Sequence, residues 1–201
     1  MKIINSEQSY TFSKIFELKI EPKDLANYFG YSFARTKLNL PQYQGDLDRV
    51  KQLKERIEEI LPYASLSSEA ARREILISPL IFDLVYYTKS EIFIEYYIKV
   101  NEQLQGYLDY FLERANDLLV IEAKKENLDY GMTQLIAELI ALEQWQENKE
   151  QNYLIGAVTT GKIWEFARLN RDRKQVEQGL ESYRVPEDIE PLMGILVQAL
   201  S

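Results

Sequence analysis

The run Leu118-Leu119-Val120-Ile121 offers no polar residue to either face of a strand, so it belongs near the middle of a sheet that is covered on both sides. It ends in Glu122-Ala123-Lys124, where period-two geometry projects Glu122 and Lys124 from the same face. Charges at the end of a doubly buried strand are either paired with each other or put to use.

A second acid belongs with them. Glu113-Arg114-Ala115-Asn116-Asp117 separates this run from the preceding apolar one, and a hairpin turn centred on Ala115-Asn116 sets Asp109 opposite Glu122. Two carboxylates facing each other across a sheet repel, so the arrangement persists only if one takes up a proton or a cation bridges them. A divalent metal ion is the expected bridge.

At 201 residues the chain fits one domain with a sizeable core, and its 46% apolar content is ordinary for a globular protein. It has no cysteine, hence no disulfide or thiolate site, and no histidine, which removes imidazole-based serine, cysteine and zinc chemistries. Catalysis then falls to carboxylates, lysine or a hard metal. The N-terminus lacks the apolar core of a secretory signal and no stretch is apolar enough to span a bilayer, so a cytoplasmic, non-membrane protein is expected. The net charge of −8 argues against non-specific grip on a polyanion; a nucleic-acid substrate needs a local basic rim or a partner protein.

Along the chain, residues 1–63 read as a helical extension packed on the core. Glu21 to Phe29 and Gly45 to Leu61 are apolar-periodic, and Pro62 ends the second. Residues 64–201 read as the main domain. Ser67-Ser68-Glu69 caps a helix reaching Tyr86, with Pro79 as its kink. Strands follow at Glu91–Val100, Gly106–Glu113 and Leu118–Lys124, then a helix over Met132–Gln146. A hairpin of Tyr153–Thr159 and Lys162–Leu169, a short strand around Gln175–Tyr183 and a helix from Pro186 to Leu200 complete an α/β (α+β) order.

With these residues in view, Glu69 to Phe166 resembles the PD-(D/E)xK nuclease superfamily, whose core runs helix, three strands, helix, strand. Asp109 is similar to the family aspartate, with Leu108 where the name has proline, and Glu122-Ala123-Lys124 matches E-x-K. Glu69 is similar to the helix-borne acid ahead of the first strand. Gln134 resembles the glutamine of a Q-x-x-x-Y element, with Glu138 in place of the tyrosine. Thr159-Thr160-Gly161-Lys162-Ile163-Trp164-Glu165-Phe166 resembles the T-x-G-x-x-W-x-F hairpin of the nuclease domain of type I restriction motor subunits and small stand-alone relatives.

The resemblance implies a restriction endonuclease-like fold, a central mixed sheet flanked by helices, and a metal-dependent phosphodiesterase cutting nucleic acid, DNA before RNA. It implies Mg²⁺ or Mn²⁺ held by Asp109, Glu122 and the carbonyl of Ala123, with Glu69 as a further ligand. Lys124 would orient water or stabilise developing charge, and Gln134 would position water or Lys124. Arg72, Arg73, Lys125, Lys162, Arg168 and Arg171 are candidates for a phosphate-facing rim. A homodimer would offer two sites for two strands; a separate partner protein is the other possibility.

Plainer readings stand beside these. Glu122 and Lys124 can be a solvated ion pair, Glu69 a residue suited to a helix N-terminus, Gln134 a surface amide, and Trp164 and Phe166 core residues. The rival function is a non-catalytic protein-interaction module built on a nuclease-derived fold.

Overall fold

The structure is a computed structural model and describes residues 4–5, 8–115, 117–124, 127–145 and 151–201. Asn116, Lys125 and Gln146, to which the sequence reading gave a place in a turn, a rim and a helix end, lie outside the described residues.

The elements run α1 (Phe12–Glu17), α2 (Pro22–Tyr28), β1 (Ser32–Thr36), α3 (Val50–Ile60), α4 (Glu69–Arg72), a π-helical turn (Arg73–Ile77), α5 (Ser78–Thr88), β2 (Glu91–Asn101), β3 (Leu104–Arg114), β4 (Asp117–Ala123), α6 (Leu128–Trp145), β5 (Tyr153–Thr159), β6 (Ile163–Asn170), β7 (Gln175–Arg184) and α7 (Ile189–Gln198). The strands form one seven-stranded mixed sheet in the order β1-β7-β6-β5-β4-β3-β2, with β4–β5 and β1–β7 parallel and the remaining pairs antiparallel. The α+β class with a mixed sheet flanked by helices is thus as expected. No helix among the described residues is long and apolar enough to cross a membrane.

The doubly apolar run explains the layering. Leu118 and Val120 enter one core, shared with α1, α2 and α6, while Leu119, Ile121 and Ala123 enter a second, shared with α3, α5 and α7. In α3, Val50, Leu53 and Ile57 recur at helical spacing and are the buried residues of that helix.

Residues 1–63 depart from the expected helical extension. They contain helices, but Ser32–Thr36 is an edge strand of the same sheet, and Phe12, Ile15 and Leu25 are buried in the same core as α6. The short strand Ser-Phe-Ala-Arg-Thr carries too little alternation to announce itself; pairing with the edge of β7 makes it a strand. The N-terminal helices also account for α6, whose residues 131–143 are buried on every side. One face lies on the sheet and α1 and α2 cover the other.

The seat of α1 depends on Gly106, which has φ +145° and no Cβ where one would stand 2.9 Å from Phe12 Cδ2 and 3.0 Å from the Phe12 backbone nitrogen. Gly106→Ala is expected to lower unfolding free energy by about 1–3 kcal/mol, from backbone strain and the retreat of α1, measurable by urea unfolding.

Candidate active site

The β3–β4 register runs from Arg114↔Asp117 to Tyr110↔Ile121, and its continuation sets Asp109 opposite Glu122, as the turn position predicted. The ladder stops one residue short of them. Lys124 N–H points toward β5 and donates to Thr159 O at 2.7 Å, so the N–H of Ala123 points toward β3, where it donates to Asp109 Oδ2 at 2.8 Å. A side-chain carboxylate thus replaces the next backbone rung.

Asp109 is aimed by an irregularity in its own hairpin. Leu108 and Phe111 enter one core and Tyr110 and Leu112 the other, so strict alternation breaks at Asp109. Glu95, which falls between the pairs Ile94↔Tyr110 and Tyr96↔Leu108, has φ +52°, an uncommon conformation for a non-glycine residue in mid-strand. Such distortions re-aim side chains where pairing ends.

The two acids therefore do not meet as a bare pair sharing one ion; each has its own cation. Asp109 Oδ1 lies 2.6 Å from Arg73 Nη2, at the start of the π-helical turn. Glu122 Oε1 is ion-paired with Lys124 Nζ and accepts from Gln134 Nε2 at 2.7 Å. Gln134 Nε2 also donates to Glu138 Oε1 at 2.9 Å, one helical turn along α6. Glu122 and Glu138 are essentially inaccessible, at 1% and 0% exposure.

Burial drives the proton affinity of this pair upward. Glu122 is held well above the usual carboxylate range by burial and then by the charges of Glu138 and Asp109, with Lys124 opposing. Burial pushes Glu138 up to about 7, against hydrogen bonds with Glu122 and Gln134. For Lys124 burial disfavours the ammonium, but Glu122 outweighs it and raises the affinity for the proton. Arg73 follows the same pattern, burial being outweighed chiefly by Asp109, with Tyr110, Glu69 and Glu122 contributing.

Packing positions Lys124. Its stem passes Gly131, where a Cβ would stand 3.0 Å from Lys124 Cγ, and its ammonium sits 4.8 Å from the centroid of the Phe16 ring. The hairpin after β5 supports it from behind: Gly161 N–H donates to Thr159 Oγ1 at 2.8 Å, Thr159 Oγ1 donates to Ile163 O at 2.8 Å, and Trp164 Nε1 donates to Gly161 O at 3.2 Å. Gly161, at φ +82°, brings this turn against Leu76 and Arg72. Thr159, Gly161 and Trp164 therefore lock the strand end whose carbonyl holds the Lys124 backbone.

The structure gathers Asp109, Glu122, Ala123, Lys124 and Gln134 around the end of β4. Glu69 is the first residue of α4, after the N-cap Ser68, and it acts on Arg73 one turn further on. Of the basic residues named for the rim, Arg168 pairs with Glu177 at 2.7 Å and Arg72 donates to Leu66 O at 2.7 Å, whereas Arg73 reaches Asp109. A cavity of about 400 Å³ lined by Lys37, Asn39, Gln42, Glu181 and Tyr183 lies by β7, away from this chemistry.

The sequence gives three participants no place among the acids of the site itself. Glu138 was noted only as a missing tyrosine, although its spacing of four from Gln134 signals a shared helix face. Arg73 was placed in a general rim. Phe16 carried no signal, because its segment meets the site only through the fold.

Compared with known protein families and with curated proteins, the sequence matches none. The donor chemistry alone decides what the site can hold. Glu122 Oε2, Glu138 Oε2 and Gln134 Oε1 are buried without a hydrogen-bond partner among the described residues, and carboxylate and amide oxygens are what a hard divalent ion prefers. Among the described residues no three acidic side chains gather closely enough to hold a metal by themselves. The set fits an ion that keeps several waters and takes one or two carboxylates, as Mg²⁺ does.

Proposed function

We propose that the protein is a metal-dependent phosphodiesterase of PD-(D/E)xK type that hydrolyses a nucleic-acid backbone, DNA being the favoured substrate. The observation that carries this reading is the convergence of Glu122, Lys124 and Gln134 beside Asp109 where β3 and β4 part, with buried carboxylate oxygens left without a partner among the described residues.

Asp109 and Glu122 would hold Mg²⁺ or Mn²⁺, with the Ala123 carbonyl beside them and Glu69 in the outer surroundings. When bound, the ion supplies charge neutralisation at the phosphoryl oxygens and a more acidic water. Gln134 fixes the Glu122 carboxylate from α6, so that little reorganisation is needed on loading. Lys124 stands with its ammonium on Glu122 and is the group placed to orient water or stabilise charge developing on the phosphate.

The test is incubation of the purified protein with linear, circular and single-stranded DNA and with RNA, in Mg²⁺ or Mn²⁺ and in chelator. Cleavage that requires the ion and falls to background in Glu122→Gln is expected; cleavage surviving in that variant rejects the assignment. A second reading, the protein-interaction module, is favoured by the internal neutralisation of both acids, Asp109 by Arg73 and Glu122 by Lys124. It is supported if wild-type protein neither cuts nor takes up Mn²⁺ in calorimetry.

A further inference from the structure

Arg73 ties the helical layer, the distorted hairpin and the candidate site together. Its Nη2 lies 2.6 Å from Asp109 Oδ1, its Nη1 lies 3.5 Å from Glu95 Oε1, and its guanidinium carbon stands 5.3 Å from the centroid of the Tyr110 ring. The side chain is 18% exposed, enough to be reached from solvent.

The contact with Asp109 is close without being well directed. Nε and Nη2 are both buried and neither meets hydrogen-bond geometry with any described residue, so the pair is held by charge and not by the parallel N–H···O bonds that an arginine fork makes with a carboxylate. Nε thus remains a buried donor without a partner among the described residues, beside an acid that the metal reading requires as a ligand. Arg73 also begins the π-helical turn, a helix distortion found often at functional sites, and the backbone there is already opened from regular α geometry. Planar guanidinium groups suit phosphate oxygens as well as carboxylates.

We propose that Arg73 is an exchangeable counter-cation: it holds Asp109 until a divalent ion takes that carboxylate, and the released guanidinium then binds a phosphate oxygen of the substrate. The inference rests on the reading of Asp109 and Glu122 as ligands of that ion. It explains how an acidic chain holds a polyanion at this one place, since the cation needed for substrate becomes available only when the ion is loaded.

The experiment is a calorimetric titration of Mn²⁺ into wild type, Arg73→Gln, Arg73→Lys and Asp109→Asn, each checked for folding by circular dichroism. Removal of the competing charge is expected to tighten Mn²⁺ binding about ten-fold in Arg73→Gln, with Arg73→Lys in between and Asp109→Asn weakened. At saturating Mn²⁺, Arg73→Gln is expected to need more DNA for half-maximal cleavage. If Arg73→Gln does not fold, Arg73→Lys carries the comparison. Mn²⁺ affinity that is unchanged or weaker without Arg73, in a protein whose wild type binds Mn²⁺ through Asp109, overturns the exchange alone; no Mn²⁺ binding by wild type or any variant overturns both the exchange and the metal-dependent reading.

Discussion

Lys124→Ala is expected to reduce metal-dependent cleavage by about 10²–10³-fold, the usual loss when one preorganised donor to a developing negative charge is removed. The ammonium is held by Glu122, by the Phe16 ring below it and by a stem laid along Gly131, so truncation removes a fixed charge and not a mobile one. The same change leaves the buried carboxyl of Glu122 without its nearest cation, and breaking a buried pair from one side costs about 3–5 kcal/mol. Activity and urea unfolding should therefore be measured together. Lys124→Met separates the effects, because it keeps the packed stem and loses only the charge: cleavage should be lost as in the alanine variant, with a smaller drop in stability. Cleavage at the wild-type rate in a folded Lys124→Met protein removes Lys124 from the chemistry.

Glu138→Gln is expected to stabilise the protein, and to do so in a pH-dependent way. The ordinary glutamate of the unfolded chain releases its proton near 4.5, whereas folded Glu138 keeps its proton up to about 7. Between those values the unfolded state binds fewer protons than the folded state, so wild-type stability falls as pH rises through this window and stays low above it. Glutamine keeps the amide contact with Gln134 within reach and has no charge to bury. The gain should approach about 3 kcal/mol at pH 8 and shrink to under about 1 kcal/mol at pH 5. Unfolding curves for both proteins at the two pH values check this; equal gains at pH 5 and pH 8 exclude a buried titrating carboxyl at 138. The pair with Glu122 is thus a place where stability has been given up, which is common where function sets the residue.

The fold was largely legible because its strong signals are local. The doubly apolar stretch at 118–121 marked the sheet interior, the turn at 115–116 set the register that carries Asp109 to Glu122, and periodicity together with caps, turns and prolines marked β2 to β7 and the helices from α3 onward. What stayed hidden depended on distant partners. β1 is a strand because β7 offers it an edge, and α1 belongs to the site because Gly106 admits Phe12. At the site, the position of Asp109 followed from register, but its partner did not: Arg73 lies 36 residues away on another element, and the distortion at Glu95 that re-aims the acid has no glycine to announce it. Spacing likewise joined Glu122 to Lys124, while the role of Glu138 emerged only once α6 was laid over β4.

The pairing of Ser32 with Gln175, 143 residues apart along the chain, has a consequence for assembly. During synthesis α1, α2 and β1 lack most of their packing surface until α6 and β7 have been made. Loop-closure entropy makes such remote contacts late and slow events. The last piece to lock should therefore be the one that brings Phe16 against Lys124, so that a newly made chain builds most of its sheet before the candidate site is whole.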